Sequence, residues 1–353
     1  MEGFGGSKTE LPSDFTILYI TFTLPCCFLP SDCSIIKLSN NVLFLIFFKE
    51  LNMKKLVLAL LVGLLSLTAL FGCVPKDDSF DGTQDIRVVT REDGSGTRGA
   101  FLELIGAKDK AIKAGASVTT GTSDLIAKVA SMKYSIGYAS TGAVDSTVKA
   151  LKVNGVEATS ANILSGDYEL ARPFLVIHGD EAGLSDLQKD FMAFLKSKQV
   201  QDLAKEENLV EVVGTGYGAT YTAPATAFPS GSELKVTGST SIKDFMEAIG
   251  EEYKALNPNV TVIVGGSGSG DAKKALDAGT ADFGIISRER NQGEIDAGYA
   301  ELSIAIDGIS IIVNKANDLV DSITFDQLKG VFIAGGAIDG LNTVDIWNEL
   351  VAE

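Results

Sequence analysis

The sequence predicts an α/β body of mixed sheets flanked by helices, and three observations carry that reading. Short apolar and β-branched runs alternate with stretches of helical spacing from residue 85 onward. Three turns rich in glycine and hydroxyls stand where such a run ends and helical spacing begins. The length, 353 residues, suits two domains or one two-lobed body.

The front of the chain reads differently. Residues 1–52 mix Phe-rich runs such as Val42 to Phe48 with a Pro-Cys-Cys stretch and show no clear period, so they are expected to be wrongly included upstream sequence. Met53-Lys54-Lys55 then opens a basic end, Leu56 to Phe71 are mostly apolar, and Gly72-Cys73 comes next. A basic start, a short apolar stretch and a small residue before a cut describe a secretory signal over 53–72. Cys directly after the cut resembles a bacterial lipobox, which implies lipidation of Cys73 and a place outside the cytoplasm, anchored to the cell membrane. The competing transmembrane anchor has only sixteen residues for roughly 30 Å of hydrocarbon. Residues 1–72 hold five Lys and five acids, so the whole net charge of −16 belongs to residues 73–353. Cys26, Cys27 and Cys33 all precede Cys73, so the body beyond it has no cysteine to cross-link. Polar residues 73–84 read as a tether.

Within the body, Ile86 to Thr90 is β-branched and reads as a strand, and Gly99 to Ile105 has helical spacing. A helix over 123–132 precedes a strand over Tyr134 to Ala139, and Phe174 to Ile177 makes a third strand. Leu184 to Leu209 carries apolar residues at helical intervals, enough for one or two amphipathic helices. Residues 213–232, mostly Gly, Thr, Ala, Ser and Pro, read as a linker. Beyond it come a strand at Leu234 to Val236, a helix from Ile242 to Leu256 and a strand at Val260 to Val264. A helix over 271–278 and strands at Phe283 to Ile286 and Ile309 to Asn314 complete the pattern.

Composition excludes several function classes. A net charge of −16 with only six Arg argues against nucleic acid, whose backbone demands clustered cations. The single histidine, His178, leaves no His triad and no multi-His metal site; no metal and no cofactor is expected. The turns are more informative. Gly94–Thr97, Gly238–Ser241 and Gly265–Gly270 each join a strand end to a helix start, where unpaired N–H groups and the positive end of the helix dipole meet. Any one of them reads equally well as a plain helix cap. Three together, one preceded by Arg91, point to a tetrahedral oxyanion. None is a Walker A loop or a nucleophile elbow with triad partners.

Thr90-Arg91-Glu92-Asp93-Gly94-Ser95-Gly96-Thr97-Arg98 resembles the signature of the PstS phosphate-binding proteins of bacterial ABC phosphate transporters. Gly238-Ser239-Thr240-Ser241, Ala281-Asp282-Phe283-Gly284, Ala305-Ile306-Asp307-Gly308 and Leu328 to Phe332 with Trp347 beyond resemble the same family. The resemblance implies a two-lobed periplasmic-binding-protein-like fold of the class II type, closing on one anion. The two signature units stand in exchanged order relative to the family, the pattern of a circular permutation with 213–232 joining the permuted halves. One lobe is then expected from 85–180 plus 309–353, the other from 181–212 plus 233–308. The crossovers fall near Arg172–Ile177 and Ile309–Val313.

Carried over residue by residue, the resemblance implies anion contacts from Arg91, Ser95, Gly96 and Thr97 on one lobe. Thr240, Ser241, Ser269 and Ser287 supply them on the other. Arg288 stands where family members often place a carboxylate, and is expected to face the ligand. Asp93 is expected to orient Arg91 or to accept from the ligand, and Glu289 shares the acceptor role. The implied partners are inorganic phosphate and an ABC permease, with a monomeric receptor that is not an enzyme. Another oxoanion (sulfate, molybdate, a phosphonate), an enzyme acting on phosphate esters and an adhesive surface protein are the alternatives.

Overall fold

The computed structural model describes residues 16–23, 41–48 and 79–351. The expected signal at 53–72 and the lipidation site Cys73 lie outside the described residues. Residues 1–78 form a unit of their own. In it β1 (Thr16–Thr23) pairs antiparallel with β2 (Asn41–Phe48), Thr16 opposite Phe48, so the Phe-rich run is a strand.

The second unit, Ser79–Glu353, holds a ten-stranded sheet in two halves that share one long strand. In the first half, β3 (Arg87–Arg91) lies parallel between β4 (Ser117–Thr119) and β5 (Ser135–Ser140). β6 (Val148–Val153) and β12 (Ser322–Ile323) extend this half. In the second half, β8 (Ser232–Gly238) lies parallel between β9 (Val260–Gly265) and β10 (Phe283–Ile286), and β10 is antiparallel to β7 (Ala171–His178). The shared strand is β11, Ala300–Asn314. Its residues 300–308 pair with β7, and Ile309 to Val313 pair with β5. Thus β11 runs the length of both lobes, and a bend between lobes must act on β7 and β11.

Helices cover the faces: α1 (Gly96–Leu104), α2 (Thr122–Ser131), α3 (Ser160–Ser165), α4 (Asp186–Leu195), α5 (Lys198–Glu206), α6 (Lys243–Leu256), α7 (Ser269–Asp277), α8 (Gln292–Asp296) and α9 (Phe325–Phe332). The run Leu184–Leu209 divides into α4 and α5 because the Ser197 hydroxyl accepts from the Val200 N–H and starts a new helix. In α2, Leu125, Ile126 and Val129 form the buried stripe against the sheet.

Each lobe has its own core. In the first, Phe101 stacks on Tyr138 with centroids 4.2 Å apart, and Phe332 meets Phe101 edge-on at 4.9 Å. Trp347 is fully buried there, with the Phe80 ring 5.2 Å away. This shortens the expected tether: Phe80 is docked on Trp347 and Tyr134 because its ring is too apolar to leave in water. In the second core Phe191 and Phe194 approach Tyr253 at 5.0 and 5.2 Å. The segment 207–231 has no helix or strand, yet its Tyr217, Tyr221 and Phe228 pack on this second core. Tyr221 and Tyr253 both donate to Asp190 Oδ2, at 2.5 and 2.6 Å, and burial pushes the Tyr221 phenol up to about 12.

Candidate functional site

Four parallel strands, β3, β4, β8 and β9, each end in a turn that starts a helix: α1, α2, α6 and α7. Such carboxyl strand ends are where open α/β sheets take ligands. The residues there are small or hydroxylic because a larger side chain would fill the space. A Cβ on Gly96 would lie 2.1 Å from Ser269 Oγ and 2.7 Å from Ser287 Oγ. Gly238, at φ +148°, would place a Cβ 2.1 Å from the Ile285 carbonyl oxygen.

The turns meet hydroxyl to hydroxyl. Thr97 Oγ1 lies 2.7 Å from Ser241 Oγ, joining the start of α1 to the turn before α6. Thr122 Oγ1, at the start of α2, lies 3.1 Å from Ser241 Oγ and 3.3 Å from Thr240 Oγ1. On the far side of Gly96, Ser269 Oγ accepts from the Ser287 N–H at 3.1 Å, and Ser239 Oγ donates to Ser287 Oγ at 2.9 Å. Ser95 caps α1 through the Arg98 N–H and is buried. A cavity of about 60 Å³ opens beside Thr122, Ser140, Thr240 and Ser241.

Arg91, the last residue of β3, is the cation of the cluster and is only 2 % exposed. Its Nη1 donates to Thr122 Oγ1 at 3.3 Å within its own half of the sheet, and its Nη2 donates to Thr240 Oγ1 at 3.0 Å, which reaches to the other half. Glu92 holds the same guanidinium through both carboxylate oxygens, at 2.8 Å from Nε and 2.7 Å from Nη2. This corrects the expectation for Asp93. Its side chain is 95 % exposed in the turn and pairs with Arg98, so Glu92 is the residue that orients Arg91. Below, Tyr138 Oη lies 2.7 Å from Thr90 Oγ1 and accepts from the Arg91 N–H at 3.3 Å, and burial raises its pKa.

Arg288 is likewise placed elsewhere than expected. Its Nη1 and Nη2 donate to the two carboxylate oxygens of Glu294 at 2.7 and 2.8 Å, and Nη1 also donates to the Glu289 carbonyl. Glu294 is itself almost wholly buried as the capping partner of Asn291. A fork–fork pair with a buried carboxylate outcompetes a solvated cleft wall. Glu289 is exposed.

A further ion pair, buried at both partners, joins β7 to the shared strand β11. Arg172 of β7 faces Asp307 of β11, with Nε and Nη2 at 3.1 and 2.9 Å from Asp307 Oδ2. The remaining Nη1 donates to the Ser287 carbonyl at 3.1 Å, while Asp307 Oδ1 accepts from Ser140 Oγ and the Thr141 N–H. Burial raises the Asp307 pKa against the pull of Arg172 and these donors.

The structure therefore brings Arg91, Thr97, Thr240 and Ser241 into one hydrogen-bonded cluster, with Gly96, Ser269 and Ser287 packed beside it. Sequence reasoning missed Glu92 as orienter, and it missed Thr122. Gly121-Thr122 comes just after Val118-Thr119 and precedes the stripe of α2, the same turn grammar as the three glycine-rich turns. The Arg172–Asp307 pair was not legible as a pair: Asp307 stood in one motif and Arg172 only at the start of an expected crossover. Among the described residues no group of three or more His, Cys, Asp or Glu side chains could hold a metal ion. The arrangement can hold a small oxyanion with hydroxyls, helix N-termini and one guanidinium.

The chain matches the family model for a PBP superfamily domain over residues 37–199 and 220–350. It is 34% identical over 287 residues to the phosphate-binding protein PstS 2 of Streptococcus agalactiae serotype V, covering 79% of this chain and 94% of the relative. It is 35% identical over 254 residues to PstS 2 of Streptococcus pneumoniae serotype 4, covering 70% and 84%. Among solved structures, a phosphate-binding protein of a phosphate ABC transporter from Streptococcus pneumoniae TIGR4 superposes with a TM-score of 0.59. That pair is 32% identical, over 75% of this chain and 99% of the other.

Proposed function

Because the chain belongs to the PBP superfamily and, within it, to the PstS phosphate-binding proteins, we propose that it captures inorganic phosphate between its two lobes and delivers it to an ABC transporter permease. The observation that carries this reading is the cross-lobe cluster of Arg91, Thr97, Thr240 and Ser241. Every group in it is a donor suited to a tetrahedral oxyanion, and each lies at a strand end or helix start. Closing two lobes over the ligand excludes water, and the enclosed donors then act at full strength.

The same proposal extends to the finer expectations. The receptor works outside the cytoplasm as a monomer, held by a lipid on Cys73. No helix among the described residues is long and apolar enough to cross a membrane. A permuted chain order also belongs here. The Ile86 N–H donates to the Asp345 carbonyl at 2.7 Å and the Asn348 N–H to the Gly82 carbonyl at 2.8 Å, so the two ends of the body lie side by side. That adjacency supports a family-like connection across them, with 213–232 as the linker that joins the permuted halves.

Titration calorimetry of the full chain, stripped of bound anion, tests the reading. Phosphate should bind with Kd on the order of micromolar or tighter, about −8 kcal/mol, and Arg91→Met should weaken it by about a hundredfold or more. Absence of phosphate binding by the folded wild-type protein would refute the proposal.

A further inference from the structure

The sheet narrows to a neck between the lobes. β10 stops pairing with β7 at Leu175, and β5 takes up β11 only from Ile309. Among the described residues, only β7 and β11 continue side by side between these points. Their register shifts between Ser303 and Ala305, and one isolated bridge joins Ile306 to Val210. A two-stranded ribbon twists more than a wide sheet and has fewer bonds to resist rotation, so bending between the lobes falls here.

Arg172 and Asp307 stand opposite each other in this neck, both buried. Arg172 Nη1 donates to the carbonyl of Ser287, the first residue after β10, at 3.1 Å. Asp307 Oδ1 accepts from Ser140 Oγ at 2.8 Å and from the Thr141 N–H at 3.2 Å, where β5 ends. The guanidinium also lies 5.4 Å from the centre of the Phe174 ring, which holds its face. Both ends of this chain of bonds abut the anion cluster. Ser287 Oγ accepts from Ser239 Oγ and lies 3.4 Å from Ser269 Oγ, and Ser140 borders the small cavity with Thr122, Thr240 and Ser241. The pair thus links a turn of one lobe to a turn of the other through the place where the lobes bend.

Stability alone does not explain such a pair. Apolar side chains of similar volume serve a buried site as well or better, because two charges must be taken out of water. A planar fork on a carboxylate supplies what they lack, a fixed direction for each hydrogen bond.

Resting on the phosphate reading above, we infer that Arg172 and Asp307 are positioning residues for phosphate, holding the Ser287 and Ser140 turns at the angle where the donors of both lobes converge. They act through those turns and not by contact with the anion.

The test is titration calorimetry with inorganic phosphate, together with thermal unfolding, on the full chain. Arg172→Met combined with Asp307→Leu should melt close to wild type yet bind phosphate about tenfold more weakly or worse. Phosphate affinity within about twofold of wild type in that folded variant overturns the inference. Arg172→Lys, which keeps the charge opposite Asp307 and loses the fork, decides the matter should the apolar pair fail to fold. Alone it should weaken phosphate about tenfold. Because Arg172 acts through Ser287, that effect should largely vanish when Ser287→Ala is already in place. Wild-type affinity in Arg172→Lys, or full additivity of the two changes, overturns the inference and leaves phosphate capture standing. Failure of the folded wild-type protein to bind phosphate overturns both together.

Discussion

Gly96 packs directly against Ser269 and Ser287, and the position has no room for a side chain. A methyl group there meets Ser269 Oγ at 2.1 Å, so Gly96→Ala must hold the lobes apart. Phosphate affinity should fall by about tenfold or more with little change in melting temperature, read by calorimetry and thermal unfolding. The neighbouring acids separate by the same approach. Glu92→Asp keeps the charge but shortens the reach that holds both arms of Arg91, and should weaken phosphate about threefold to tenfold. Asp93→Asn, at a solvent-exposed pair with Arg98, should leave affinity within about twofold. At this scale the sequence showed which residue types meet the anion, since glycine, hydroxyl and Arg91 stand in one recognisable run. It did not show which acid serves Arg91. That depends on the turn of the chain after β3, which sends Glu92 inward and Asp93 into solvent.

At the scale of elements, β7 and β11 carry the lobes, and their buried pair fixes how they meet. Asp307→Asn strands the Arg172 guanidinium in the interior and should cost about 3–5 kcal/mol in denaturant unfolding. The pH dependence has a definite sign. Burial raises the Asp307 pKa, so the folded protein keeps that proton to higher pH than the unfolded chain. The associated stability is present below about pH 4, the ordinary carboxylate range, and is lost as pH rises through the raised value. The Asp307→Asn variant should lose this fall in the pH–stability curve. Phe80, wedged on Trp347 and Tyr134, makes a second element-level case: Phe80→Ala should destabilise the body by about 3 kcal/mol. The apolar run Phe283–Ile286 was legible as a strand because both its faces are covered, and the run Val260–Val264 through its β-branched composition, although Ile263 is exposed on one face. The stretch 300–308 was not, because Glu301, Ser303 and Asp307 interrupt its apolar pattern, and only pairing with β7 extends β11 through it. The short β4 and α8 have too few residues to show a period.

For the whole molecule, α/β alternation identified the layers, and the strand order is what builds the site. Two parallel strands per lobe, β4 with β3 and β8 with β9, deliver four helix starts to one place. If the chain order is permuted as proposed, a variant that links Leu350 to Phe80 and opens within 213–232 should fold and keep wild-type phosphate affinity. Loss of folding in that variant would count against the permutation alone. The most direct test of the central claim is a crystal structure of the protein with phosphate bound. The anion should lie between the lobes, its oxygens on Arg91, Thr97, Thr240 and Ser241, with Arg288 still paired to Glu294. Phosphate seated away from these four residues, or held by a freed Arg288, would contradict it.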